Sequence, residues 1–200
     1  MRLEEWFELY RQILSDFNFS AEDDVKSARL MHGLGKDKLL DAEALREKIE
    51  GRDVVVVGGA VNSEADGEVI ITAGKAIVKW MKLSDRTPDV HVTDMEESAD
   101  LLVSLEENGT LLVLHAHGDN MDRVREVVPR VKSFVGTTQN TPFDRIYNFG
   151  GFTDGDRAAI IAKRFGAKKI TLHGFDFRAG GIKGKKLSWA RKILEKEGLI

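Results

Sequence analysis

Leu3, Trp6, Phe7, Tyr10, Ile13, Leu14 and Phe17 recur at three- and four-residue intervals. That spacing predicts a helix with one apolar face over 3–17. Residues 21–32 and 41–50 also read as helices, separated by the turn Gly33-Leu34-Gly35-Lys36. The first 50 residues thus form a helical N-terminal extension. Beyond Gly51 the pattern changes. Apolar, β-branched runs occupy 53–60, 68–74, 88–94, 111–117, 133–139 and 168–177. Helical patterns fall at 75–83, 95–107, 121–131, 154–165 and 185–197. Strands that are apolar on both faces and alternate with helices imply a mostly parallel sheet with helices on both sides. The expected fold is α/β, doubly wound and Rossmann-like over 51–200. Trp6 and Trp189 fall on helical core faces.

In such sheets ligands bind beyond the carboxyl ends of the strands. Glycines or polar residues stand at that rim repeatedly. Gly58 and Gly59 follow the first run, Thr93 and Asp94 the third, and His115 to Asn120 the fourth. Gly136, Thr137, Thr138 and Gln139 close the fifth, and Gly174, Phe175 and Asp176 lie in the sixth. Five such ends on one rim mark a site. Composition narrows the ligand class. With 42% hydrophobic and 32% charged residues the chain has material for a core and a solvated surface. A formal charge of −3 gives no global attraction for nucleic acid or acidic membranes. Absence of cysteine excludes disulfides and thiolate metal sites. The opening MRLEEWFELYRQIL has no signal-peptide apolar core, and no run is long enough to span a bilayer. A cytoplasmic protein is expected, and the charged-residue content hints at a thermophile.

Common nucleotide motifs are absent. Neither Gly35-Lys36 nor Gly184-Lys185 completes a P-loop, and Gly58-Gly59-Ala60-Val61-Asn62-Ser63 does not match G-x-G-x-x-G. No G-x-S-x-G nucleophile elbow occurs. What is present is acidic. The topology would bring Asp94, Glu96, Asp119, Asp154, Asp156 and Asp176 to the rim. Two carboxylates about 4 Å apart repel by roughly 4 kcal/mol at an effective dielectric of 20. Such a cluster calls for cations, and all-oxygen ligands favour Mg²⁺ with substrate phosphates. The competing role is helix capping: Asp94 and Asp154 suit N-caps, and Thr153-x-x-Asp156 resembles a capping box.

Gly150-Gly151-Phe152-Thr153-Asp154-Gly155-Asp156-Arg157 joins a flexible backbone to a helix start, a pattern suited to anions, with Arg157 as a phosphate partner. His115-x-His117-x-Asp119 has the spacing of a zinc hydrolase, but Asn120 stands where a further histidine is wanted; His173 is the one other histidine placed to approach. Phosphate or base hydrogen bonding and purely structural polar contacts are the other readings of these histidines. Gln139 and Asn140 offer amides to a heterocycle edge. His91 reads as packed. Lys183, Lys185 and Lys186 lie in a Gly-rich stretch read as a flap over phosphates or a solvated loop.

The runs Pro88-Asp89-Val90-His91-Val92-Thr93-Asp94, His115-Ala116-His117-Gly118-Asp119-Asn120, Gly136-Thr137-Thr138-Gln139, Gly150 to Ala158 and Gly174-Phe175-Asp176-Phe177 follow one another in an order that resembles the archaeal-type 6-hydroxymethyl-7,8-dihydropterin pyrophosphokinases. The resemblance spans roughly residues 50–190. It implies a fold similar to the catalytic domain of thiamine pyrophosphokinases. It also implies Mg²⁺-dependent transfer of diphosphate from ATP to a pterin hydroxymethyl group, leaving AMP, in tetrahydromethanopterin or folate-type biosynthesis. On this reading Asp94, Asp119, Asp154 and Asp156 hold one or two Mg²⁺ ions, with Glu96 in support. Gly58, Gly59, His117, Asn120, Thr137, Thr138, Arg157 and Lys186 would contact ATP. Gln139 and Asp176 would read the pterin, and a rim carboxylate or His115 would accept the hydroxymethyl proton. Two departures stand out. Gly58 to Ser63 replaces a G-x-G-P-S-L-like run, and Asp94-Met95-Glu96-Glu97 replaces Asp-Leu-Asp-Gly. Thiamine pyrophosphokinase, a metal hydrolase built on the HxHxD run and a non-catalytic nucleotide-binding module are the alternatives. The helical extension would cover a sheet edge or serve a homodimer contact.

Overall fold

The computed structural model describes residues 1–200. Seven strands form one sheet: β1 (Asp53–Val57), β2 (Val69–Ala73), β3 (Val90–Thr93), β4 (Leu111–Ala116), β5 (Val135–Thr138), β6 (Ile146–Tyr147) and β7 (Lys169–His173). Their spatial order is β6-β5-β4-β3-β2-β1-β7, and every neighbouring pair is parallel. Eight α-helices surround them: α1 (Leu3–Phe17), α2 (Ala21–Gly35), α3 (Glu43–Ile49), α4 (Ala76–Leu83), α5 (Ala99–Glu107), α6 (Met121–Val127), α7 (Asp154–Arg164) and α8 (Gly181–Lys196).

Strand alternation divides the core in two. Val55, Val57, Ile70, Leu112 and Leu114 face α2, α4, α5 and α6 through Met31, Trp80, Leu102 and Val124. Val54, Val56, Val69, Ile71, Val90, Val92, Val113 and Val135 face α3, α7 and α8 through Leu45, Ile49, Ile161 and Leu194. The fold is therefore α/β and wound on both faces, as the alternating pattern implies. The apolar face of α1 (Trp6, Leu9, Tyr10, Ile13) forms a third cluster on Ile160 of α7 and on Trp189 and Ile193 of α8. The helical lead-in thus packs over both faces of the sheet, through α2 on one and α3 on the other, and between them Leu39 pairs in parallel with Phe134 beside β5, so it also covers the β6 edge, one of the two placements expected from sequence.

The chain steps from β1 to β6 in one direction and then returns. Helix α7 carries it back beneath β1, β2 and β3 to β7, beside β1. This reversal makes β1 and β7 the switch point where a crevice forms. Three differences from the sequence reading bear on the site. The two-residue β6 is too short to leave a periodic signal. Helix α5 starts at Ala99, capped by Ser98 (Oγ accepting from Leu101 N, 3.3 Å), not at residue 95. Residues 94–98 are instead a turn with Met95 at φ 67°. Helix α8 begins at Gly181, with Gly180 as its extended N-cap. Lys183, Lys185 and Lys186 therefore lie on a helix, and neither the flap nor the solvated loop holds.

Candidate active site

A cavity of about 770 Å³ opens over the carboxyl ends of β1–β4 and the start of α7, with α8 and the β7–α8 connection as its far wall. Its acids are Asp94, Glu96, Asp119, Asp154 and Asp176, and its cations Lys75, Lys79, Arg157, Arg178, Lys183 and Lys186. Positive and negative charges are interleaved around it.

Asp94 at the end of β3 and Asp154 at the start of α7 form its centre. Burial alone pushes Asp154 well above the usual carboxylate range, and the Asp94 charge pushes it the same way while Arg157 opposes. Burial also works against ionisation of Asp94, but His117 and the charge of Arg157 outweigh it and hold Asp94 below the ordinary value. His117 Nε2 is 3.6 Å from Asp94 Oδ2, and Arg157 Nη1 donates to Asp154 Oδ1 at 3.1 Å. Two carboxylates driven apart in this way share a site that favours one proton or a bound cation. Glycine at 74 permits the approach. It has φ 50°, and a Cβ there would lie 2.7 Å from Asp154 Oδ2.

His115, at the end of β4, is 2% exposed and lines the cavity. His115 Nδ1 lies 3.0 Å from the Thr137 hydroxyl, which also reaches Leu114 O (3.1 Å), while Nε2 is buried without a close hydrogen-bond partner. Burial, then the charges of Arg157 and His117, depress the imidazole pKa well below its usual value. His115 is thus neutral near neutral pH.

Several residues singled out by sequence do not face the cavity. Asp156 is fully buried and accepts from Phe152 N and Thr153 N, both at 2.7 Å. It is the capping-box carboxylate of α7, not a metal ligand. Asn120 is consumed by His115 O (2.7 Å), Asp94 O (2.9 Å) and His117 N (3.0 Å). It ties the β3 and β4 loops together instead of touching a ligand. Thr137 is spent on His115, and Thr138 Oγ1 caps a turn by accepting from Asn140 N (3.3 Å). Gly58 lines the cavity but is required by loop packing: a Cβ would lie 2.8 Å from Gly174 O and from the Phe175 ring. Gly59, His117, Asp119, Gln139, Arg157, Asp176 and Lys186 do line the cavity. Asp176 is paired with Arg178 (3.0 Å), and Glu96 with Lys75. His91 is buried against Thr72 (2.9 Å), and His173 bonds to Ser63, so neither joins the site.

Sequence reasoning missed Lys75, Lys79 and Phe19 as lining residues, while Phe175, placed on the rim with Gly174 and Asp176, does line the cavity. Lys75 follows Gly74 at the end of a strand, so the rim rule was enough to find it. Lys79 is one turn further along α4. Phe19 lies in the α1–α2 connection, where no local pattern signals a ligand.

No group of three or more His or acidic side chains converges to hold a metal on protein ligands alone. This counts against zinc at His115, His117 and Asp119, since zinc takes three or four protein ligands. It also narrows the five-carboxylate cluster: Asp156 is spent on the helix cap and Glu96 turns to Lys75. Mg²⁺ has a different requirement, one or two carboxylates with water and substrate phosphates completing the shell. The Asp94–Asp154 pair meets it.

The family model described as 6-hydroxymethylpterin diphosphokinase MptE-like matches residues 36–181. A protein of Pyrococcus furiosus named 6-hydroxymethyl-7,8-dihydropterin pyrophosphokinase is 37% identical, with 98% of this chain and 94% of the relative covered. Proteins of the same name from Methanocaldococcus jannaschii and Methanothermobacter thermautotrophicus are each 31% identical. They match 88% of this chain and, respectively, 80% and 79% of their own lengths.

Proposed function

We propose, on the premise that the chain belongs to the MptE-like 6-hydroxymethylpterin diphosphokinase family and is a diphosphotransferase, that it moves the terminal diphosphate of ATP to 6-hydroxymethyl-7,8-dihydropterin and releases AMP. The observation that carries this reading is the Asp94–Asp154 pair, set among Arg157, Lys75, Lys79, Lys183 and Lys186 in one cavity at the switch point of the sheet.

Transfer of a diphosphate is mostly a problem of positioning and of neutralising charge. Asp94 and Asp154 would hold Mg²⁺, whose charge would offset that of the phosphates when bound. Arg157 keeps Asp154 oriented through the 3.1 Å contact and adds positive charge at the head of α7. Lys75 and Lys79 reach the cavity from the start of α4, and Lys183 and Lys186 from the first turns of α8. Four cations on two opposing helices suit the three phosphates of a nucleotide. His115, kept neutral by its burial at the end of β4, would accept the hydroxymethyl proton as the new O–P bond forms. Asp119 is the remaining cavity carboxylate free of an ion pair and supports the metal site. A role in tetrahydromethanopterin or folate-type cofactor synthesis follows from the same reading.

Incubation with ATP, Mg²⁺ and the dihydropterin, beside a parallel reaction with thiamine, tests it. Pterin diphosphate and AMP are expected, with thiamine unchanged. ADP in place of AMP, or transfer to thiamine alone, refutes the reading.

A further inference from the structure

Residues 1–35 precede the stretch matched by the family model, yet they reach into the cavity wall. Phe19 lines the cavity from the α1–α2 connection. Asp24, on the first turn of α2, is 2% exposed. Its Oδ1 accepts from Gly118 N (2.7 Å) in the turn that follows β4. Its Oδ2 accepts from Gln139 Nε2 (2.8 Å) and from the Tyr10 hydroxyl of α1. Trp6 of α1 donates to Gln139 O (2.8 Å). Asn140 Nδ2 donates to Ala21 O (3.0 Å) and to the Tyr10 hydroxyl (3.4 Å). Trp6, Tyr10, Ala21 and Asp24 of the first two helices therefore grip the segment after β5.

The chemistry of this grip is directional. A carboxylate accepts and never donates when ionised, whereas an amide has one donating and one accepting end. With Asp24 holding its nitrogen, Gln139 turns its carbonyl oxygen to the cavity that it lines. Gln139 then offers the cavity an acceptor, which suits a donor on the ligand edge.

We infer that Asp24 is a positioning residue that fixes the polarity of Gln139, so that the α1–α2 hairpin selects a heterocycle presenting an amino and ring N–H edge. This rests on the pterin reading above, because the 2-amino pyrimidine edge of a pterin is such a donor edge. Exchange of the Asp24 carboxylate for an amide removes the constraint. The new amide would offer an N–H to Gln139, which would invert and present its own NH₂ to the substrate donors.

Steady-state kinetics on the full chain tests this. Asp24→Asn is expected to raise the KM for the pterin about tenfold while the KM for ATP stays within about twofold, the effect of one lost hydrogen bond to one substrate. Gln139→Met is expected to do the same, and the double variant to add nothing further, since both act on one contact. Tyr10→Phe removes another Asp24 partner and is expected to lower the melting temperature without moving the pterin KM. Equal shifts of both KM values, or additive effects in the double variant, overturn the inference. If Asp24→Asn does not fold, an unchanged pterin KM in Gln139→Met overturns it. Wild-type protein that forms no pterin diphosphate refutes the functional reading itself. Wild-type activity with an unmoved pterin KM in both variants refutes this inference alone.

Discussion

At the residue scale, two aspartates two positions apart do different things. Asp154 opens on the cavity beside Asp94, while Asp156 is turned under the helix start. Asp154→Asn and Asp94→Asn are each expected to lower kcat by about 100-fold or more, the scale seen when one group stabilising transition-state charge is lost. Circular dichroism should show both variants folded; near wild-type turnover in either would remove the pair from the mechanism. Asp156→Ala is expected to cost about 1–2 kcal/mol of stability, the range for loss of a helix cap. Its folded fraction should keep its activity below the melting transition, which a combined melting and activity series checks. Glu97 gives a pH signature. Burial opposes its ionisation, but His91 (3.9 Å) and Thr93 outweigh burial and hold its pKa below the ordinary value. A carboxyl depressed on folding stabilises the native state fully above the unfolded value of roughly 4.3, and loses that contribution as the pH falls through the folded pKa. Acid unfolding of Glu97→Gln should accordingly be less steep below that value than that of wild type; superimposable acid transitions would contradict it. Asp94, Asp119, Asp154, His115 and Arg157 were legible in sequence because each follows a strand or opens a helix on one rim. The separation of Asp154 from Asp156 was not, because a capping box and a metal pair have the same residue spelling.

At the scale of elements, the meeting of β2 with α7 is decided by one backbone position. Gly74 occupies φ 50°, and any side chain there would run into Asp154. Gly74→Ala is expected to cost about 1 kcal/mol in backbone strain and to depress activity further than that loss explains, because Asp154 must move. Thermal melts beside kcat measurements separate the two effects; activity that falls only with stability would show that Asp154 has room to adjust. Helix α8 shows where periodicity fails. Glycines at 180, 181 and 184 suggested a loop, yet the segment is helical from Gly181. Trp189, Ala190, Ile193 and Leu194 bury its apolar side, with Trp189 and Ile193 packed against α1 and α7. That packing outweighs the low helix propensity of the two glycines within it, each of about 1 kcal/mol. The outcome matters to function, since the helix sets Lys183 and Lys186 at the cavity, while Lys185 donates to Asp16 O and lies over Phe17.

For the whole molecule, the sheet order places the site and the first two helices complete it. None of the three apolar clusters is free of the lead-in: it supplies Met31 to one, Leu45 and Ile49 to another, and Trp6, Leu9 and Ile13 to the third. A chain trimmed to residues 51–200 is therefore expected to lack a cooperative thermal transition, as calorimetry would show; a sharp transition in that fragment would make the extension dispensable. No helix is long and apolar enough to cross a membrane. The sequence by itself determined the α/β class, the helical lead-in, the rim that carries the cavity and the acidic character of that rim. These properties depend on local periodicity and on the rule that binding residues follow parallel strands, so they survive without knowledge of contacts. Only the tertiary structure decided which acids face one another, which polar residues are spent on loops and caps, and which end of the Gln139 amide meets the cavity. Those outcomes depend on partners far away in the chain. Asp24 lies 115 residues from Gln139, and no pattern within either segment records that they touch.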